Sequence, residues 1–284
     1  MKRLYYLLFF VSVGMAFQGC VDEPMEKEQY KKQIYLVGIA QEGGMIIRDI
    51  DFAHLQGETF VSVATSGTLS PDSDVPFSIE EFDEVIDTYN SKFRSAADVQ
   101  YRKLDAQYYS LTMDGVIRAG DSYARLPLSV FPEGLHCDSL YAIPLRMKSS
   151  VFPFPDNNPP ILVRIRTMNE YSGSYTYMGM TTNLNTQAVS AFNLTRNAVA
   201  VSSHTIRIQH QEVEDLSRID AFGIVIQIAS NNMLSFESWK DMQIVSGHGT
   251  YDPIKLSFSF EFEYINSDGV SFKTEATLVS SKAL

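Results

Sequence analysis

The chain has 284 residues, with 23 Lys and Arg against 34 Asp and Glu, and a formal net charge of −11. That acid surplus excludes nucleic acid as a partner, because phosphate binding depends on a surplus of Lys and Arg that releases counterions. The only cysteines are Cys20 and Cys137, so a disulfide framework is excluded and each core must hold by packing alone.

The chain opens on Met1-Lys2-Arg3, continues through apolar Leu4 to Phe17, and reaches Gly19-Cys20 before acidic Asp22-Glu23. A basic start, a short apolar run and a small residue at the break mark residues 1–19 as a secretory signal peptide. The run is shorter than the roughly 20 apolar residues that a membrane-spanning helix needs. Phe17-Gln18-Gly19-Cys20 resembles a bacterial lipobox, which makes Cys20 the expected site of lipidation. Residues 20–32 are polar and charged and read as a tether between the lipid and the folded part.

Residues 33–150 read as an all-β domain, a β-sandwich. Gln33 to Ile39, Thr59 to Ala64 and Val75 to Ile79 are short strand-like runs. Phe82, Val85, Ile86 and Tyr89 recur at spacings of three and four, which predicts one short helix between Glu80 and Phe93. Asp114-Gly115, flanked by Tyr108 to Met113 and Val116-Ile117, carries the signal of a hairpin turn. From Tyr123 to Phe131, Ala124, Leu126, Leu128 and Val130 share one face; Ile143, Leu145 and Met147 repeat the rule. Pro127 and Pro144 fall inside these strands and predict edges or bulges, since proline cannot donate to a ladder.

Residues 151–160 are rich in proline and asparagine and read as a linker. Residues 161–284 form the second antiparallel β-domain, a barrel or another sandwich. Ile161 to Arg166 is expected to open it. The apolar face switches parity between Val199-Val201 and Ile206-Ile208, which predicts a bulge. Leu256, Phe258, Phe260, Phe262 and Tyr264 alternate most strongly, and Asn266-Ser267-Asp268-Gly269 turns this strand into a closing hairpin.

No catalytic constellation emerges, and no metal or other cofactor is expected. Asp72-Ser73-Asp74 lacks the glycine and downstream glutamate of a calcium loop. His204 and His210 would lie about 20 Å apart along one strand, too far for one zinc. Cys137 has nothing triad-like around it and reads as an inert thiol. Aromatic side chains remain the candidates for ligand contact, because flat rings stack on the apolar faces of sugars. Trp239, in a polar segment between strands, and Tyr171, Tyr175 and Tyr177, among small residues, are the binding candidates. A lid over the core (for Trp239) and one face of a strand (for the tyrosines) are the plainer readings.

The lipobox, the acidic tether, Tyr101-Arg102-Lys103-Leu104-Asp105 before Tyr108-Tyr109-Ser110-Leu111, and Tyr141-Ala142-Ile143-Pro144-Leu145 resemble one Bacteroidetes family. Tyr171-Ser172-Gly173-Ser174-Tyr175 and Tyr251-Asp252-Pro253-Ile254-Lys255 resemble its second-domain signatures. The family comprises surface lipoproteins with an N-terminal immunoglobulin-like domain of unknown function and a second all-β domain, a lipocalin-like barrel or a sandwich. It is associated with outer-membrane glycan-import systems. The resemblance implies a non-catalytic lipoprotein on the outer face of the outer membrane. Its expected partners are a glycan or polysaccharide and a transporter complex, with the membrane reached through the lipid alone. The alternatives are an adhesive or transporter-docking subunit and a glycoside hydrolase.

Overall fold

The computed structural model describes residues 27–210 and 218–283, so the expected signal peptide and Cys20 lie outside the described residues. Both domains are β-structures. In chain order the first contains β1 (Ile34–Leu36), β2 (Met45–Asp51), β3 (Gly57–Thr65), β4 (Val75–Glu81) and helix α1 (Glu84–Phe93). There follow β5 (Tyr101–Lys103), β6 (Tyr109–Leu111), β7 (Asp114–Ile117), β8 (Tyr123–Val130), β9 (Leu140–Ser150) and β10 (Ile161–Met168). One sheet has the order β1-β3-β8-β6, and the other β2-β10-β9-β4-β7 with β5 beside β9. The expected inward faces meet between the sheets: Leu126, Leu128 and Val130 from one, Ile143, Leu145 and Met147 from the other. Each such side chain, taken from water, stabilises the fold by roughly 1.5–3 kcal/mol before the entropy of ordering is subtracted. Helix α1 forms where the spacing of three and four predicts it, and buries Val85 and Ile86.

Two local expectations are corrected below. Ile161–Met168, which opens the expected second segment, pairs parallel with β2 and antiparallel with β9 of the first sheet. Its odd residues Ile161, Val163 and Ile165 enter the sandwich core, while Leu162 packs with Val85 and Ile86 on the opposite face. A central strand buried on both faces reads as a continuous apolar run, which carries no mark of the domain it belongs to. Residues 151–160 therefore connect two neighbouring strands of one sheet, and Phe152 and Phe154 pack against the same core.

Asp114-Gly115 is not a hairpin turn. Both residues lie within β7, which pairs with β4, while β6 pairs with β8 in the other sheet. Gly115 is required by packing: a Cβ there would lie 2.5 Å from Phe77 Cζ and 2.8 Å from Leu126 Cδ2. Pro144 sits inside β9, not at an edge, but at the point where β9 exchanges β5 for β4 as its neighbour. Pro127 lies just past the last residue of β8 that β6 pairs with.

The second domain is a closed barrel of β11 (Gly173–Asn183), β12 (Val189–Ser202), β13 (Thr205–Gln209), β14 (Gly223–Ile228), β15 (Met233–Ser238), β16 (Gln243–Asp252), β17 (Ser257–Ile265) and β18 (Ser271–Ser280). Helix α2 (Ile219–Phe222) precedes β14. Every strand is antiparallel to the next, and β18 returns to β11 along nine paired positions from Tyr175↔Ser280 to Asn183↔Phe272. Closure removes the sheet edges, and eight strands leave an interior that side chains fill. Phe258, Phe260 and Phe262 supply much of that filling, with Ile206, Ile208, Ile224 and Ile226 opposite. The supposed parity switch dissolves into two strands. Ala198 and Ala200 of β12 and Ile206 and Ile208 of β13 point inward, so the core positions are all even. A register shift does occur between Ala200 and Ser202.

Candidate functional site

The three candidate tyrosines lie inside the barrel. Tyr171, Tyr175 and Tyr177 are 6%, 3% and 0% exposed. Tyr175 donates its hydroxyl to the Tyr171 carbonyl at 2.8 Å, and the Tyr177 hydroxyl is 2.7 Å from His210 Nδ1. Tyr171 meets Tyr251 edge-on at 5.1 Å, and Tyr175 meets Phe258 edge-on at 5.7 Å. No ring face among the three is open to a ligand. Period two placed them on one face, and closure made that face the interior.

Trp239 is also not a platform. It follows β15 and lies over Gly223, where a Cβ would come within 2.7 Å of Trp239 Cβ. The Arg207 guanidinium covers its ring at 4.8 Å, and His136 meets it edge-on at 5.6 Å. Arg207 points out of the barrel wall from β13, beside Val199 and Val225. It is 2% exposed because the turn His136-Cys137-Asp138 of the first domain covers it. There it donates to the Asp138 carboxylate and, at 3.6 Å, to Cys137 Sγ. Two residues singled out separately in the sequence, Cys137 and Trp239, thus meet at a single joint between the domains.

The turn that joins the domains is fixed from both sides. Asn169 donates through Nδ2 to the carbonyls of Ser202 at 2.7 Å and Thr205 at 3.0 Å. Its Oδ1 accepts the Tyr171 N–H at 3.1 Å and the Ser172 hydroxyl at 2.8 Å. A buried amide with its partners in place holds a single geometry.

Between this connector and the Arg207 joint lies a cleft of about 360 Å³. Tyr141, Arg164, Arg166 and Met168 line it from the sandwich, and Asn197 and Val199 from the barrel. Pockets of this size, roughly 300–1,000 Å³, often form where two domains meet. Arg102 braces the wall, donating to Ser139 Oγ at 2.6 Å and to the Tyr141 hydroxyl at 2.7 Å. Burial pushes the Tyr141 phenol up, but donation from the His136 N–H, Ser139 and Arg102 outweighs it and holds the group below the usual tyrosine range. Arg166 forks onto Asp49, at 2.6 Å and 2.8 Å.

The cleft carries polar recognition groups without an activated nucleophile. Burial pushes the Cys137 thiol up to about 11; Arg207 lowers it and Asp138 raises it. It stays protonated at neutral pH and is a poor attacking group. His136, Cys137 and Asp138 bring ligand atoms within 4.8 Å of one another, but two of the three are already engaged. Asp138 is paired with Arg207, and His136 Nδ1 accepts the Asp138 N–H at 3.2 Å. A cation there would also face the guanidinium.

A second aromatic surface lies on the solvent face of β3 and β8. Arg125 stands 4.4 Å from the Phe60 ring and 5.7 Å from Tyr123, with Arg48 5.3 Å from Phe60. The guanidinium groups occupy these rings, so the strip is a cation–π ladder and not a bare platform.

A family model of an N-terminal domain matches residues 30–151, and a family model of a C-terminal domain matches residues 160–279. No curated protein matches the chain at a significant level. Among solved structures, a protein of unknown function from Bacteroides ovatus shares the fold with a TM-score of 0.67 at 13% identity, covering 88% of this chain and 94% of that one. Another from the same organism has a TM-score of 0.66 at 16% identity, covering 91% and 93%. A protein described as an auxiliary nutrient binding protein, from Bacteroides thetaiotaomicron, has a TM-score of 0.61 at 13% identity, covering 84% and 92%. At these identities the likeness is one of fold.

Proposed function

We propose that this chain, which carries both the N-terminal and the C-terminal domain that those family models describe, is a non-catalytic lipoprotein that captures a glycan in the cleft between its domains. The observation that carries this reading is the cleft itself: concave, set between two filled cores, and lined by hydroxyl, amide and guanidinium groups beside Met168 and Val199. Such a mixture matches a sugar, whose hydroxyls bond polar groups while its C–H faces rest on apolar ones. The protonated Cys137 thiol and the pairing of Asp138 with Arg207 argue for holding a ligand and against cleaving one. The solved relative described as a nutrient binding protein, with the same two-domain fold, supports the reading. Anchoring through Cys20 on the outer face of the outer membrane, beside a carbohydrate transporter, completes the proposal and rests on the signal and lipobox sequence.

Two experiments test it. Calorimetric titration of the purified protein against host and plant polysaccharides should give a saturable signal with at least one. A blank across the panel with folded protein would refute glycan capture. Cys20→Ala should move the protein from the membrane to the soluble fraction, and retention at the membrane would refute the lipid anchor.

A further inference from the structure

We infer that the ligand of this cleft is a sugar bearing a carboxylate, an inference that rests on glycan capture at the same site. The charge of the lining runs against that of the molecule. The protein carries −11 overall, yet Arg164, Arg166 and Arg207 line the cleft against Asp138. Asp49 matches Arg166, and Asp138 matches Arg207. Arg164 acts on Asp49 only through space and has no carboxylate of its own. It is half-buried, its guanidinium lies 5.8 Å from the Tyr101 ring, and it makes no ion pair or hydrogen bond among the described residues. Arg102, in the wall, bonds neutral oxygens of Ser139 and Tyr141.

A carboxylate presents two coplanar oxygens to the planar fork of an arginine, and charge-assisted bonds of this kind are roughly twice as strong as neutral ones. A neutral sugar would fill the same space and leave the surplus positive charge of Arg164 unanswered.

The test compares, by calorimetry on the detergent-solubilised full chain, uronate-bearing glycans (polygalacturonate, alginate, hyaluronan) with their carboxyl-esterified forms, neutral glycans and a sulfated glycan. The expected result is that at least one free acid binds about tenfold or more tightly than its ester, a gap of about 1.4 kcal/mol. Arg164→Gln should close that gap, whatever it does to the weaker binding that acid and ester share. Arg164→Lys should restore part of it, since it keeps the charge and loses the fork. Raising the salt should narrow the gap. Equal affinity for acid and ester, or an unchanged gap in Arg164→Gln, overturns the carboxylate and leaves glycan capture standing. Preference for the sulfated glycan over every uronate also overturns it. Absence of binding to any glycan, neutral or acidic, overturns glycan capture itself.

Discussion

His210 is a histidine held against its own charge. Its ring packs among Tyr177, Phe192, Phe262 and Tyr264, with centroid separations of 5.2 to 5.9 Å. Its nitrogens meet the Tyr177 hydroxyl at 2.7 Å and the Thr274 hydroxyl at 3.3 Å. Burial first, and then the Arg196 charge, push its pKa down to about 4. In the unfolded chain a histidine titrates near 6.5, so between these values the unfolded state binds a proton that the folded state refuses. The stability is fully present above pH 6.5 and falls as the pH drops towards 4, by no more than about 3 kcal/mol. Urea unfolding at pH 7 and pH 4.5 measures the difference. His210→Gln should flatten it, and an equal pH dependence in that variant would assign the loss to other groups.

At the level of elements, what the sequence revealed depended on whether one face of a strand met water. β8, β17 and β18 alternate cleanly and lie where their patterns put them. β10 is covered on both faces, so its apolar run did not tell which domain it joins. β16 carries no apolar alternation because glycines stand at its inward positions 247 and 249, opposite Phe262 and Phe260. Small residues there make room for large rings, and the hydrophobic signal moves to the partner strand. Gly115 misled for the same reason, as a packing glycine with the look of a turn. Gly115→Ala should destabilise the first domain by about 1–3 kcal/mol, the usual cost of forcing a group into a filled core. Thermal unfolding checks this, and a neutral outcome would mean that Phe77 and Leu126 yield without strain.

At the scale of the whole molecule, the site was the least legible part. No segment of the sequence announces the cleft, because its residues come from three distant stretches, around 136–141, 164–173 and 197–207. Taken singly, Cys137 reads as an inert thiol, and Trp239 as a sugar platform or, more plainly, a lid over the core. Only the fold brings them together with Arg207 at the joint that sets the domains in place. Replacing Arg207 or Trp239 would therefore disturb the joint along with any ligand, and neither is a clean probe of binding. Val199 is better suited. It lines the cleft from the outer wall of the barrel, opposite Arg207 on β13, and takes no part in the hydrogen bonds of the connector. A tryptophan there would occupy much of a cleft of about 360 Å³.

The most direct measurement is a side-by-side calorimetric titration of the native chain and Val199→Trp with the glycan that binds best, with unfolding temperatures recorded for both. The cleft account predicts that Val199→Trp keeps its unfolding temperature within a few degrees and loses binding by about a hundredfold or more, about 2.7 kcal/mol. Unchanged affinity in a folded Val199→Trp would place the ligand elsewhere and contradict the account.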